Sequence, residues 1–201
     1  MKILKEYDNY DDYTEHQKEK TLDPVRRKKW LGEEWELKLN GFSDIFGYNC
    51  QNILKEGMSA LCIGARTGQE VVALKNLGID AIGIDLVECE PHVVFGDMHN
   101  LEYEDESFDF VFTNVFDHSL YPDKMISEIE RVLRIGGYFL LHMQVRQEID
   151  DYAENEIQSV ENDIIPLFEK TEVCVSSTIP RNFAGMNWEI LTAKVEHNYE
   201  S

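Results

Sequence analysis

The stretch that decides the fold is LCIGARTG, residues 61–68, in which a short apolar run ends in a glycine-rich turn. The apolar run, residues 60–63, is typical of a strand buried in a parallel sheet. The glycines allow the backbone to approach a ligand closely. A helical pattern follows at once, and the first N–H groups of a helix can bind an anion such as a carboxylate. The stretch therefore predicts a strand, a ligand-binding turn and a helix in succession.

Thr67 and Glu70 have the spacing of a capping box, so we expect them to cap this helix, which Gly78 ends. Later apolar runs predict six further strands, at residues 81–84, 92–95, 108–113, 138–141, 172–179 and 188–195. Because strands alternate with helical patterns, the sequence predicts an α/β fold whose mostly parallel sheet carries helices on both faces.

Three other segments carry structural expectations. Pro122 stands where a proline suits the first turn of a helix, which predicts a helix from that residue. Only residues 87–91 separate the second strand from the third, too few for a crossover helix, so we expect an extended link. Apolar residues recur at helical spacing over residues 153–164 and predict a long amphipathic helix.

The first 57 residues differ from the rest because they are polar and rich in aromatic side chains. Two tryptophans and two leucines between residues 30 and 37 recur at roughly helical intervals, which predicts helices packed over the following domain. We divide the chain into an N-terminal helical segment or lid, residues 1–57, and a ligand-binding domain, residues 58–201. Together they are expected to form one structural domain.

Charge and cysteine spacing narrow the classes of partner. The formal net charge is -20, from 39 acidic and 19 basic residues, and such a field repels a polyphosphate, so we expect no nucleic-acid partner. The four cysteines lack C-x-x-C spacing and a paired histidine pattern, so we expect no metal site and no disulfide scaffold. The N-terminus lacks an apolar signal core and no apolar run approaches a membrane span. We therefore expect a cytoplasmic protein with no membrane partner.

Polar side chains follow the predicted strands at their carboxyl ends, the edge where open α/β sheets bind ligands. Asp85 ends the second strand, and its carboxylate can accept hydrogen bonds from both hydroxyls of a ribose. Asp97 follows the third strand, where it could accept from an adenine amino group. Residues 114–118 follow the fourth strand and bring polar groups to the mouth of the predicted pocket. A nucleotide-like ligand is indicated, but Asp85 alone does not choose among nucleotides.

Five stretches, in order over residues 59–143, resemble the core of the class I S-adenosylmethionine-dependent methyltransferases, in the type 11 style. They are residues 61–68 (LCIGARTG), 83–86 (GIDL), 96–101 (GDMHNL), 105–111 (DESFDFV) and 128–137 (EIERVLRIGG). Their shared order makes the resemblance specific. Residues 13–21 also resemble N-terminal segments of small methyltransferases linked to glycan biosynthesis.

The resemblance implies both a fold and an activity. The fold is a Rossmann-like α/β sheet of seven strands, mostly parallel with the last strand antiparallel, with helices on both faces and an N-terminal helical lid. The activity is transfer of a methyl group from S-adenosylmethionine to an oxygen or nitrogen nucleophile of a small-molecule or glycan-related substrate. The acceptor and the oligomeric state stay open.

The resemblance also implies roles for individual residues. The loop of residues 64–68 would hold the methionine end of the cofactor, Asp85 the ribose, and Asp97 with Met98 the adenine. The full set of expected cofactor-binding residues is Gly64, Ala65, Arg66, Thr67, Gly68, Asp85, Leu86, Asp97, Met98, His99, Asn114 and His16. Asp117 and His118 are the candidate catalytic residues, because a base there could take the proton of a hydroxyl nucleophile.

Two positions depart from the family's first motif. Cys62 stands where the family usually has an acidic residue that helps to place the methionine moiety. Arg66 replaces the middle glycine and adds a positive charge, which could meet the cofactor carboxylate or an acidic substrate. A non-catalytic S-adenosylmethionine-binding scaffold or regulatory protein is therefore the alternative function. An oxidoreductase acting on a dinucleotide is disfavoured, because the Arg66 side chain would crowd a pyrophosphate.

The N-terminal segment carries one further hypothesis. Methyl transfer benefits from a closed, dry site, and Tyr13, His16 and Lys20 are expected to form part of a lid over the methionine end of the cofactor. Lys20 or His16 could then meet the cofactor carboxylate. The alternative is a helix that only covers an apolar face of the sheet.

Overall fold

The computed structural model describes residues 1–146, 151–183 and 186–196. The helices are α1 (Tyr10–Leu22), α2 (Pro24–Leu31), α3 (Trp35–Asn49), α4 (Gln69–Lys75), α5 (Pro122–Val132) and α6 (Val160–Asp163). The strands are β1 (Lys2–Ile3), β2 (Ser59–Ile63), β3 (Asp80–Asp85), β4 (Val93–Phe95), β5 (Phe108–Thr113), β6 (Leu133–Met143), β7 (Asn155–Glu156), β8 (Thr171–Phe183) and β9 (Met186–Lys194).

Seven strands form the main sheet, in the order β4-β3-β2-β5-β6-β9-β8. The first five of these strands pair in parallel, whereas β9 runs antiparallel to both β6 and β8. The predicted Rossmann-like sheet, with its last strand antiparallel, is therefore confirmed. The strand order reverses at β2, which lies between β3 and β5, so a ligand crevice is expected beyond the carboxyl ends of these strands.

Helices cover both faces of the sheet because successive strand residues point to opposite sides. Leu61 packs in a cluster with residues of α5 such as Ile126. The next residue, Cys62, packs in a second cluster with residues of α3 and α4. Complete burial raises the pKa of the Cys62 thiol well above its usual range. Cys62 is therefore a small core residue, and no acidic group could occupy its place without a partner.

Helix α3 belongs to the core of the sheet. The Phe46 side chain is fully buried, and its ring meets the rings of Phe110 and Phe112 edge-on, with centroids 6.1 and 5.1 Å away. Helix α1 is different, since it buries only Tyr13 and Thr21. The N-terminal helices therefore include one that is built into the core and one that contacts the rest of the protein through hydrogen bonds and aromatic rings.

One local prediction is confirmed, one is confirmed in part and two are wrong. Helix α5 begins at Pro122, as predicted. No helix forms over residues 87–91, but the link is not extended, because residues 90–92 form a turn in which the Val93 N–H donates to the Cys89 backbone oxygen at 3.0 Å. The capping box is wrong, because Gly68 caps α4 in the left-handed conformation and Thr67 Oγ1 donates to Gln69 Oε1 at 2.8 Å. Glu70 turns inward instead of reaching back to the cap.

The long helix predicted over residues 153–164 is also wrong. Its apolar positions are buried, as their spacing indicated, but Asn155–Glu156 pairs with β1 as a strand, and only Val160–Asp163 is α-helical. Strand pairing with the N-terminus thus overrides the helical periodicity. Among the described residues, no helix has the length and apolar character needed to cross a membrane.

Candidate functional site

The turn after β2 brings its backbone to the crevice. Gly64 has a φ of +72°, and a Cβ there would lie 2.3 Å from Cγ2 of Val115, so only glycine fits. Arg66 also has a positive φ, +47°, which for a residue with a Cβ costs about 1–2 kcal/mol. The loop therefore keeps a conformation suited to glycine at the position where the family's glycine is replaced.

Asp85 ties this turn to the end of β3. Its two carboxylate oxygens accept hydrogen bonds from the backbone N–H groups of Arg66, at 3.0 Å, and Val87, at 3.1 Å. Burial raises the pKa of Asp85, and these hydrogen bonds and the nearby guanidinium groups limit the rise. Because each carboxylate oxygen can accept a second hydrogen bond, Asp85 can still receive two hydroxyl donors.

A small cavity of about 50 Å³ lies between the carboxyl ends of β2, β3 and β4 and helix α1. Six of the expected cofactor residues line it: Gly64, Arg66, Asp85, Leu86, Asp97 and Met98. Two carboxylates thus stand beside apolar side chains, a combination that suits hydroxyl and amino donors around a flat apolar ring. Helix α1 closes this space with Tyr13, Gln17, Lys20 and Thr21.

A second, larger cavity of about 350 Å³ adjoins the first. It is lined by the expected residues Ala65, Thr67, Asn114 and Asp117 and by side chains of α2, α3 and β9. Five residues line both cavities: Lys20, Gly64, Arg66, Val115 and His118. The candidate cofactor residues and the candidate catalytic residues therefore meet at the boundary between the two spaces.

The ring of His118 is held in one orientation at this boundary. Its Nδ1 lies 2.7 Å from the backbone oxygen of Tyr152, and since a carbonyl only accepts, Nδ1 carries the proton. Nε2 is left without that proton and can act as an acceptor. It lies 3.9 Å from Oδ1 of Asp117, beyond hydrogen-bond distance. His118 is thus oriented to take a proton from a group bound in the cavity.

Asp97 is engaged by two neighbours. Oδ2 accepts from the Tyr10 hydroxyl at 2.6 Å, and Oδ1 accepts from the His99 backbone N–H at 2.8 Å. Burial alone would raise the pKa of Asp97, but the hydrogen bonds from His99 and Tyr10 outweigh it and lower the pKa. The ring of His99 accepts at Nε2 from the backbone N–H of Tyr121, so its Nδ1–H faces Tyr10 and Asp97. Asp97 is therefore ionised and held in place.

Three of the expected cofactor residues line neither cavity. Gly68 caps α4 and faces His92. His99 is buried and orients Asp97. His16 stacks on the ring of Tyr152, with centroids 5.0 Å apart, because the α1 face toward the cavity carries Tyr13, Gln17 and Lys20 instead. The lid residues Tyr13 and Lys20 thus reach the site, and His16 does not.

The larger cavity also contains residues that the sequence analysis did not single out as a site. Trp30 lies beside Lys38 and Arg66, and Glu70 projects into the same space. Burial raises the pKa of Glu70 to about 8. In the sequence, the signal for these residues is Arg66. An arginine in a glycine position needs neighbouring side chains that accommodate its positive charge.

The buried Glu70 predicts a measurable pH dependence. Between roughly pH 4.5 and 8, the folded state keeps a proton that the unfolded state has lost, so stability falls as pH rises through this window. The slope is up to about 1.4 kcal/mol per pH unit. In Glu70→Gln this contribution is absent. The free energy of unfolding of the variant, measured with urea, should therefore rise relative to that of the wild type between pH 5 and pH 8. The exposed control Glu102→Gln should track the wild type. Equal pH slopes for wild type and Glu70→Gln would contradict the assignment.

Comparison with known proteins identifies a family whose sequence model part of the chain matches. Residues 61–141 match the sequence model of a family described as a methyltransferase domain. A search of curated protein sequences finds no match. Among solved structures, the 1,6-didemethyltoxoflavin-N1-methyltransferase of Burkholderia thailandensis, with bound 1,6-didemethyltoxoflavin and S-adenosylhomocysteine, is similar at a TM-score of 0.70 and 16% identity. That alignment covers 98% of this chain and 94% of the other.

Two further structures have the same fold. A S-adenosylmethionine-dependent methyltransferase of Methanosarcina mazei is 16% identical, with a TM-score of 0.63, over 73% of this chain and 97% of the other. The [4+2]-cyclase SpnF is 17% identical, with a TM-score of 0.62, over 78% and 80%. The sequence match, the strand order and the glycine turn agree with one another. Residues 61–141 therefore match a methyltransferase-domain family in sequence, and the chain has the fold of S-adenosylmethionine-dependent methyltransferases of known structure.

Proposed function

We propose that the protein is a S-adenosylmethionine-dependent methyltransferase that methylates an oxygen or nitrogen nucleophile of a small-molecule or glycan-related acceptor. The observation that carries this proposal is the pair of adjoining cavities at the carboxyl ends of the strands, with His118 at their boundary. When bound, S-adenosylmethionine would supply an electrophilic methyl group on a sulfonium. The residues of the chain then have to bind the cofactor, orient the acceptor and exclude water from the site.

The residues around the smaller cavity fit this cofactor. The two carboxylates, Asp85 and Asp97, can accept from ribose hydroxyls and an adenine amino group, while Leu86 and Met98 offer apolar contacts to the base. The positive φ of Gly64 and the side chain of Val115 behind it keep the loop close to the crevice. The donor and acceptor pattern supports a nucleoside with a free amino group and two hydroxyls.

Helix α1 supports the lid hypothesis. It closes the smaller cavity to about 50 Å³. Tyr13 donates to the His118 backbone oxygen, Gln17 donates to the Tyr152 backbone oxygen, and His16 stacks on the Tyr152 ring. An element that buries few side chains opens at low cost. We infer that α1 moves away to admit the cofactor and closes over it.

Within the closed site, His118 would act as general base. Its Nδ1–H is fixed on the Tyr152 backbone oxygen, so Nε2 accepts the proton that a hydroxyl or a neutral amine nucleophile loses as its lone pair forms the bond to the methyl carbon. Asp117, 3.9 Å from Nε2, lies where its charge would stabilise the resulting imidazolium. Positioning of the nucleophile next to the methyl group supplies most of the remaining rate acceleration.

The cofactor assignment is tested by Asp85→Ala. Loss of an acceptor for two hydroxyls should weaken S-adenosylhomocysteine binding by ~1–3 kcal/mol, measured by calorimetric titration. Asp80→Ala, at the exposed opposite end of β3, is the matched control and should keep wild-type affinity. An unchanged dissociation constant in folded Asp85→Ala would remove the ribose role.

A non-catalytic cofactor-binding scaffold is the second candidate. Its support is the first motif, where Cys62 is buried without charge and Arg66 replaces glycine. The two functions separate when the protein is incubated with S-adenosylmethionine and a panel of hydroxyl- and amine-bearing acceptors. Saturable binding without release of S-adenosylhomocysteine across the panel would favour the scaffold.

A further inference from the structure

The walls of the larger cavity concentrate positive charge in a strongly acidic chain. The net charge of the chain is -20, yet Lys20, Lys38 and Arg66 all line this one space. The Arg66 guanidinium carbon lies 4.4 Å from the centroid of the Trp30 ring, and Lys38 Nζ lies 5.2 Å from the same centroid. Two cations are therefore packed against a single aromatic side chain, which acts as a platform for both.

Three acidic side chains, Glu34, Glu70 and Asp117, line the same cavity, and Asp85 lies near Arg66. The two that act on Lys38, Glu34 and Glu70, offset its charge only in part. Glu34 accepts from Lys38 at 3.1 Å, but it also accepts from Lys29 at 2.9 Å, so its single charge is shared. Glu70 faces the same cations but is largely protonated at neutral pH. Burial and then the neighbouring Arg66 lower the pKa of Lys38, and the opposing effect of Glu34 and Glu70 does not cancel this shift.

Lys38 and Trp30 line the larger cavity only, away from the carboxylates at the ends of β3 and β4. The amide side chains of Asn114 and Gln144 share that space. Its volume of about 350 Å³ lies at the lower end of the range for small-molecule sites, roughly 300–1,000 Å³. The space thus suits a compact polar molecule that carries negative charge.

We propose that the larger cavity binds the methyl acceptor and that Lys38 and Arg66 hold an anionic group on it, a carboxylate or a phosphate. The acceptor is then a small organic acid or phosphate ester whose hydroxyl or amine reaches His118. This proposal rests on the proposed methyltransferase function. It excludes a neutral acceptor, and it assigns the two cations to the acceptor and not to the carboxylate of the cofactor.

The test uses defined probes on protein saturated with S-adenosylhomocysteine. Calorimetric titration compares 4-hydroxybenzoate and phenyl phosphate with the neutral isostere 4-hydroxybenzamide. At least one of the two anions should bind about tenfold more tightly than the amide, as expected for charge-assisted hydrogen bonds. Equal affinity for the amide and both anions, or no binding of either anion at millimolar concentration, would overturn the proposal.

Variants assign the effect to the two cations. Lys38→Gln should abolish the preference for the anions, whereas Lys28→Gln, which removes one exposed charge from α2, should keep it. Arg66→Gly should also abolish the preference, and it suits the left-handed backbone at that position, so the fold is retained. A preference that survives both Lys38→Gln and Arg66→Gly would sink the assignment.

A final arm separates the acceptor from the cofactor. Binding of S-adenosylhomocysteine and of 5′-methylthioadenosine, which lacks the amino-acid carboxylate, is measured in wild type and Lys38→Gln. The proposal expects both affinities to be unchanged by the substitution. A loss confined to S-adenosylhomocysteine would assign Lys38 to the cofactor carboxylate and overturn the proposal. Failure of wild-type protein to bind either nucleoside would instead overturn the proposed function, and the acceptor assignment with it.

Discussion

Replacing His118 with glutamine should slow methyl transfer by roughly 10²- to 10⁴-fold, the range for removal of a positioned general base. Glutamine can still donate to the Tyr152 backbone oxygen, which His118 Nδ1 contacts at 2.7 Å, but it cannot take up a proton. Affinity for S-adenosylhomocysteine should stay close to that of the wild type. The measurement is release of S-adenosylhomocysteine with an acceptor found among hydroxyl- and amine-bearing organic acids, with kcat and the cofactor Kd determined separately.

The matched control is His92→Gln, because His92 lies just before β4 and lines neither cavity. It should turn over like the wild type. If His118→Gln retains the wild-type kcat, proton transfer to this residue is not part of the reaction. If the variant loses cofactor affinity and activity together, the role of His118 is to maintain the structure of the site.

Phe46→Ala should lower the free energy of unfolding by about 3–5 kcal/mol, as expected for truncation of a fully buried aromatic side chain. The ring joins α3 to the sheet through edge-on contacts with Phe110 and Phe112. Urea unfolding followed by circular dichroism measures the loss. Leu37→Ala on the same helix is the control, since Leu37 is 70% exposed and its truncation should cost no more than about 0.5 kcal/mol.

This comparison also tests how the chain is divided. We predict that residues 1–57 and 58–201 fold as one structural domain, because α3 shares the core cluster of β2 and β5. A Phe46→Ala variant as stable as Leu37→Ala would mean that α3 contributes nothing to the folded core, and that the N-terminal segment is an appendage.

Local patterns determined much of the sheet. The predicted bounds of β5 match the structure at both ends, and the short link over residues 87–91 left no room for a helix between β3 and β4. These features depend on neighbouring residues only. The segment over residues 153–164 failed because its spacing records burial, and burial is compatible with either a helix or irregular chain. Pairing of Asn155–Glu156 with Lys2–Ile3 decided between them, and that pairing joins positions far apart in the sequence.

The same division applies to the candidate site. The sequence by itself determined that the LCIGARTG turn, Asp85 and Asp97 stand at strand ends, because parallel strands bring their carboxyl ends to one edge of the sheet. Only the tertiary structure decided that Lys38 and Arg66 pack against Trp30 and that Glu70 is buried beside them. It also decided that the buried His99 orients Asp97. These are contacts between side chains on separate elements. They depend on how α1, α2 and α3 dock against the sheet, which no local spacing encodes.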